Sequence, residues 1–411
     1  MKMPQISFLV CLLALSMIQN AIANSKKEEA KLIKGTVKQS AQQAPKLIVR
    51  KEMNIISGHI RDLGPFIASE QEFTRESNKA IIEKHLQELT MSFKNIKVHP
   101  VINTEGLSIN RAVLVDQLEQ AMNHFTQNKK SWARAKFNAA LNLCVSCHTQ
   151  TPGTVQKGAF KVFADKDISK LKLNDFERAE LYFITRDFEG AIKLYDKFLL
   201  SSKKTDDDEY IYKAFERELI YFIKFKKSFP LAKAHFENLL KANRFNDKVA
   251  QEVGDWIKIL GGKSLWDQFD PQKVKEEDME KFMNTFIADD EEGPIFTATN
   301  SSEVYDLNLS SILMDYYNTH PETKFGAKIL YWLAALDKRV NDDLFFSLGG
   351  YYLITCMEKY PKDPVAHDCY ESYIDDLEMN YMSKEKKWPA EIEARLKKLQ
   401  TLIHYKESDE E

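Results

Sequence analysis

Apolar residues recur at steps of three and four along the first third of this chain. Met53, Ile56, Ile60, Leu63 and Ile67 follow one another at 3, 4, 3 and 4 residues. Ile82, Leu86, Leu89 and Phe93 step by 4, 3 and 4, and Leu114, Leu118, Ala121 and Phe125 repeat that spacing. Ala133, Phe137, Ala140 and Cys144 carry it into a fourth stretch. Stripes of this kind turn one face of each helix toward a shared core. Breaks are expected at Gly64-Pro65, from His99-Pro100 through Gly106, and around Asn128 to Ser131. Short breaks favour antiparallel neighbours, so the pattern predicts an N-terminal four-helix bundle over residues 48–155.

Thr151-Pro152-Gly153 ends this unit, and a loop runs to about Lys170. The rest again reads as helix pairs, with no convincing alternating strand. The fold class expected is therefore all-α: a four-helix bundle followed by an α-helical repeat domain. The second half divides into segments 165–265 and 275–405, with an acidic tail at 406–411. Asp206 to Glu209 and Asp289 to Glu292 read as acidic surface loops, since neither has the alternating acidic spacing of a calcium loop. Gly293-Pro294 after the second marks a domain break.

Composition narrows the field. Among 411 residues there are only 14 Gly and 12 Pro, too few turn formers for a sandwich, propeller or many-stranded barrel. The net charge of −3 gives no electrostatic case for nucleic acid. The first 23 residues resemble a secretory signal. Lys2 is the basic start, Ile6 to Met17 the apolar run, and Ala21-Ile22-Ala23 the cleavage pattern, so the mature chain begins at Asn24 in the periplasm or outside the cell. An uncut membrane anchor is the alternative. Cys11 lies inside the apolar run, behind a Val that does not suit lipidation, and leaves with the signal. No apolar run of about 18 residues follows, so no transmembrane span is expected in the mature chain. Residues 24–47 read as a flexible basic linker.

Four cysteines remain, an even count that suits an exported protein. Two sit in Cys144-Val145-Ser146-Cys147-His148, the attachment signature of c-type haem. The two thiols add to the porphyrin vinyl groups, and two intervening residues set their separation. On a helix Cys144, Cys147 and His148 fall at i, i+3 and i+4 on one face, with His148 as proximal iron ligand. A thioredoxin-like pair would need a surrounding βαβ pattern, and half a zinc site would need a second ligand pair nearby. Neither is present in the sequence. One motif means one covalent haem c.

The motif closes the fourth helix instead of opening the fold. In this the chain resembles class II cytochromes c, the cytochrome c-prime family, over about residues 48–155. The resemblance rests on CVSCH and on the first-helix segment Glu52 to His59. It implies that a first-helix side chain sits over the distal face of the haem, and the apolar register puts Met53 there, as in the low-spin Met/His branch. Met53 as iron ligand would favour the ferrous state and raise the potential. From spacing alone Met53 reads as a core methionine. His59 is the rival ligand, six residues on and about 240° around the helix, so the two cannot both face the haem. His85, His99 and His124 read as surface histidines. Arg50, near the distal position, is the candidate propionate contact. Thr149-Gln150-Thr151 stand where the family often has an aromatic or basic residue.

In the second half, Ala179, Tyr182, Ala191 and Tyr195 sit at the small and aromatic positions of a tetratricopeptide repeat, which this stretch resembles. Looser copies run from Phe229 through Ala232 and Phe236, and from Gly349 to Pro364. An irregular helical domain is the alternative. Such solenoids bind proteins or peptides on a concave surface. Cys356 and Cys369 flank Pro361 to Pro364, and two stacked helices would bring them within bridging distance, so a disulfide is expected. The leading functional reading is an exported monohaem electron carrier, more an electron carrier than an enzyme, with a repeat domain that docks a redox partner protein. A homodimer is allowed. The alternatives are an open-site haem protein for NO, CO or peroxide, and a repeat scaffold with a structural haem. No catalytic residue, nucleotide loop, metalloprotease motif or nucleophile elbow is visible.

Overall fold

The structure is a computed structural model that describes residues 51–404 except 68, 97–103, 150–172, 186, 203–207, 243, 291–292, 296–302, 341–347, 382–387 and 389. The signal at 1–23, the basic linker at 24–47, Arg50, His99 and the acidic tail at 406–411 lie outside the described residues. Among those described, the chain is helical apart from one small hairpin. Among the described residues, no helix is long and apolar enough to cross a membrane.

Four helices open the fold: residues 51–67 (α1), Lys79–Asn95 (α2), Glu105–Thr126 (α3) and Lys130–Thr149 (α4). Every stripe position from Ile56 to Cys144 is buried, and Met53 is half-buried against the same core. A short helical turn, Glu70–Thr74, links α1 to α2. Ser69 caps it by accepting from Glu72 N at 3.3 Å, and Phe73 meets Phe125 edge-on. The expected break at Gly64-Pro65 does not occur, for the helix runs on to residue 67. Pro65 lies in the last turn, where the missing N–H removes one bond, and Gly64 has no Cβ to clash with the ring. Asn128 does break the chain. Its left-handed φ of 62° ends α3 while Lys129 N donates to His124 O at 2.8 Å.

The next five helices are Asp175–Ile184 (α5), Phe188–Ser201 (α6), Asp208–Ile220 (α7), Phe229–Leu240 (α8) and Asp247–Leu260 (α9). Their starts are written in the sequence. Asn174, Asp187, Ser228 and Asn246 each cap a helix with a side-chain oxygen, and Glu177 completes a capping box with Asn174. Consecutive helices pack together, α5 on α6 and α8 on α9. Ala179, Tyr182, Ala191, Tyr195, Ala232 and Phe236 are all buried in this core. Asp208 and Glu209, read as loop, instead form the first turn of α7. Negative charge there meets the positive end of the helix dipole. A wide π-helical turn, Tyr221–Phe225, extends α7, and Lys227 closes it at φ 51°.

The last part holds Glu276–Phe286 (α10), Glu303–Thr319 (α11), Gly326–Val340 (α12), Gly349–Lys359 (α13), Val365–Tyr381 (α14) and Ala390–Leu402 (α15). Strand was not expected here, yet Ala288–Asp290 (β1) pairs antiparallel with Gly293–Ile295 (β2). Asp289 and Asp290, read as surface loop, lie in β1, a segment too short for alternation to register. The core of α10–α15 is continuous with that of α1–α4. Helix α3 packs against α11 and α13. Helix α11 is buried nearly all round, with Val304 and Leu307 in the α5–α9 core and Ile312 and Leu313 in the other.

Candidate functional site

The strongest chemical motif sits at the C-terminal end of α4. No Gly or Pro interrupts residues 130–149, and the helix carries through Cys144, Cys147 and His148 to Thr149. Cys144 prolongs the buried stripe of Ala133, Phe137 and Ala140, and its Sγ lies 3.8 Å from Ala140 O. Cys147 and His148 fall three and four residues further on, the same face of the same helix. Their side chains lie outside the described residues. Two thiols and an imidazole on one helical face are the donor set that covalent haem requires, so the residues present fit the group.

Met53 and His59 occupy different faces of α1. Met53 packs against the core, whereas His59 turns toward α2. His59 Nδ1 lies 3.2 Å from His85 Nδ1 and 3.5 Å from Glu88 Oε2. Burial pushes the His59 ring below its usual pKa and outweighs the opposing Glu88 charge. His85, expected at the surface, has a side chain only 13% exposed. His124, expected there too, is half-buried, with its ring near Trp132 and its Nδ1 buried without a partner. Both corrections have one cause. Each ring lies beside a stripe position, Leu86 or Phe125, and is covered by the helix packed against that edge.

Polar ties fix α4 to its surroundings at both ends. Arg134 Nη2 donates to Ile67 O at 2.9 Å, joining the end of α1 to the start of α4. Arg217 on α7 donates from Nη2 to Asn142 Oδ1 at 2.9 Å, two residues before Cys144. The same guanidinium holds Glu180 at 3.0 and 3.2 Å, and the Tyr195 hydroxyl donates to that carboxylate. Burial works to raise the Glu180 carboxyl, but the Arg217 charge and the hydrogen bonds win and hold it below its usual range. Other ties join α3 to the last part of the chain. Asn318 Oδ1 accepts from Gly106 N at 2.9 Å, and Tyr351 donates to Asp116.

Between α4, α7, α11 and α12 lies a cavity of about 550 Å³. Arg134, Asn138, Lys213 and Lys224 reach its wall. The wide turn of α7 carries Lys224, whose ammonium is pushed down by burial, with Asp337 acting against it.

In α13 and α14, Cys356 and Cys369 form a disulfide with Cα atoms 6.5 Å apart, and both are fully buried. No single-residue signal in the sequence pointed to Arg217 or to the His59–His85 contact, because each depends on which helices meet. No family model matches the chain, and no curated protein or solved structure does either.

Proposed function

We propose that this chain is an exported monohaem c-type cytochrome that carries single electrons, with a tetratricopeptide-like half that docks a redox partner protein. The observation that carries the reading is Cys144, Cys147 and His148 on one face of an unbroken helix, in register with a buried stripe. Cys144 and Cys147 would form the thioethers, and His148 would hold the iron. When bound, the haem supplies a one-electron ferric/ferrous couple.

The chain's own residues shape the rest of the site. In this reading α1–α4 form a four-helix bundle of cytochrome c-prime type, with α1 antiparallel to α4. Ile67 and Arg134 then mark one level of the pair. Met53 lies 14 residues back from Ile67 and His148 lies 14 residues on from Arg134. Both steps rise about 21 Å, so the two residues share a level at the other end. Met53 is the distal ligand in this reading, because His59 is already turned to α2. Arg50, three residues before Met53 in the sequence, would meet a propionate. His148 and Met53, each carried on a helix, would hold the iron in both oxidation states without a change of ligand. Export across a membrane, with cleavage before Asn24, places attachment outside the cytoplasm. Stacked helix pairs α5–α9 would present the docking surface.

The test is the optical spectrum of the purified, haem-loaded protein, ferric and ferrous, with and without CO. A low-spin spectrum indifferent to CO, with a sulfur-to-iron band lost in Met53→Ala, is expected. A high-spin ferrous form that takes up CO readily would refute Met53 ligation and favour an open site. Absence of covalent haem, or its persistence in Cys144→Ala/Cys147→Ala, would end the cytochrome reading.

A further inference from the structure

Three side chains able to ligate a metal meet where α1 meets α2, away from the motif. His59 Nδ1, His85 Nδ1 and Glu88 Oε2 form a triangle with edges of 3.2, 3.5 and 3.9 Å. The nearest point equidistant from all three atoms lies about 2.1 Å from each, so an ion slightly off their plane meets the bond lengths zinc makes to imidazole and carboxylate. The two long edges are too long for good hydrogen bonds, so Glu88 satisfies neither ring well without an ion between them. His85 and Glu88 stand at i and i+3 on α2, and α1 supplies the third ligand across the helix pair.

We propose that His59, His85 and Glu88 bind one zinc ion, with water at the fourth position. Two imidazoles and a carboxylate are the donor set of open, three-ligand zinc sites. The Glu88 side chain is 44% exposed, which leaves a mouth to solvent for the water and for metal entry. Both histidines are largely covered, at 17% and 13% exposure, so their rings are held in place before the metal arrives. The hard cations magnesium and calcium prefer all-oxygen shells and do not suit this set. The ion ties α1 to α2 on a face of α1 about 120° from Met53. The site stands whether or not the chain carries haem.

The test titrates the full-length, metal-stripped protein with zinc sulfate by calorimetry, with magnesium as control. One equivalent should bind and raise the thermal midpoint. His59→Ala and His85→Ala should each weaken binding about 100-fold, and Glu88→Gln about 10-fold. Glu88→Gln keeps the size of a half-exposed side chain, so it tests the site even if a histidine variant folds poorly. Zinc binding unchanged in all three variants would overturn the proposal, as would an equal response to magnesium. The same titration in Cys144→Ala/Cys147→Ala removes any thiol-bound zinc, and the equivalent held by His59, His85 and Glu88 should remain there.

Discussion

Replacing Arg217 by methionine should cost about 2–3 kcal/mol of stability, because it leaves the half-buried Glu180 carboxylate without its cation. The guanidinium makes two bonds to Glu180 at 3.0 and 3.2 Å and one to Asn142 at 2.9 Å, and lies over the Phe183 ring. Methionine keeps the stem packed but removes every donor. Glu180→Gln in the same chain should recover most of the loss, since the neutral amide no longer needs a cation. The pH dependence gives a second handle. In the native protein Glu180 is held low, so its contribution is present above the unfolded value of about 4.3 and fades as pH falls through the lower folded value. In Arg217→Met burial acts unopposed by the guanidinium, so the carboxyl rises and the folded state takes up a proton on acidification. The deficit of the variant should therefore shrink between pH 7.5 and pH 5. Urea unfolding followed by far-ultraviolet circular dichroism at both values measures it. A deficit independent of pH, or a double variant as unstable as Arg217→Met, would refute the argument.

Two further outcomes are expected. Cys356→Ala/Cys369→Ala should lower stability by about 3 kcal/mol in urea unfolding, from a closed loop of 13 residues; equal midpoints for variant and parent would contradict this. Glu218 is fully buried, with its Oε2 3.0 Å from His235 Nε2, and burial and then the Asp196 charge raise its carboxyl well above the usual range. Glu218→Gln should thus change stability by less than about 1 kcal/mol at pH 7. Relative to the parent it should gain as pH rises, because the parent's folded state must keep a proton its unfolded state has lost. A loss of several kcal/mol, as for removal of a buried charge, would show that Glu218 is ionised.

The helices of the first third were legible because their spacing is regular over many turns, and Ile82, Leu86, Leu89 and Phe93 are buried in the order the stripe requires. Caps at Asn174 and Asn246 were legible in principle for the same local reason, since a helix start depends on a few adjacent residues. What failed was also local but weak. Three-residue strands carry too few alternations to stand out, and Gly64-Pro65 resembles a break although one lost hydrogen bond in a last turn is tolerated. The candidate haem face was readable because CVSCH packs its chemistry into five consecutive residues. The zinc triangle was not, because His59 and His85 stand 26 positions apart and only helix packing brings their rings to 3.2 Å.

The continuity of the core bears on how the two halves should be separated in experiment. Helix α3 lies against α11 and α13, Gly106 is tied to Asn318, and Asn142 is tied to Arg217. A chain ending near residue 150 would expose the apolar faces these contacts cover and lose both hydrogen bonds. Loss of electron transfer in such a truncation would then follow from an uncovered core as readily as from lost docking. Leu200 and Leu231 on the α5–α9 half are 43% and 53% exposed and belong to neither core. Charged substitutions at these two positions alter the surface of α5–α9, the docking face of the proposed function, while leaving α4 and its supports in place. They separate docking from folding where a deletion cannot.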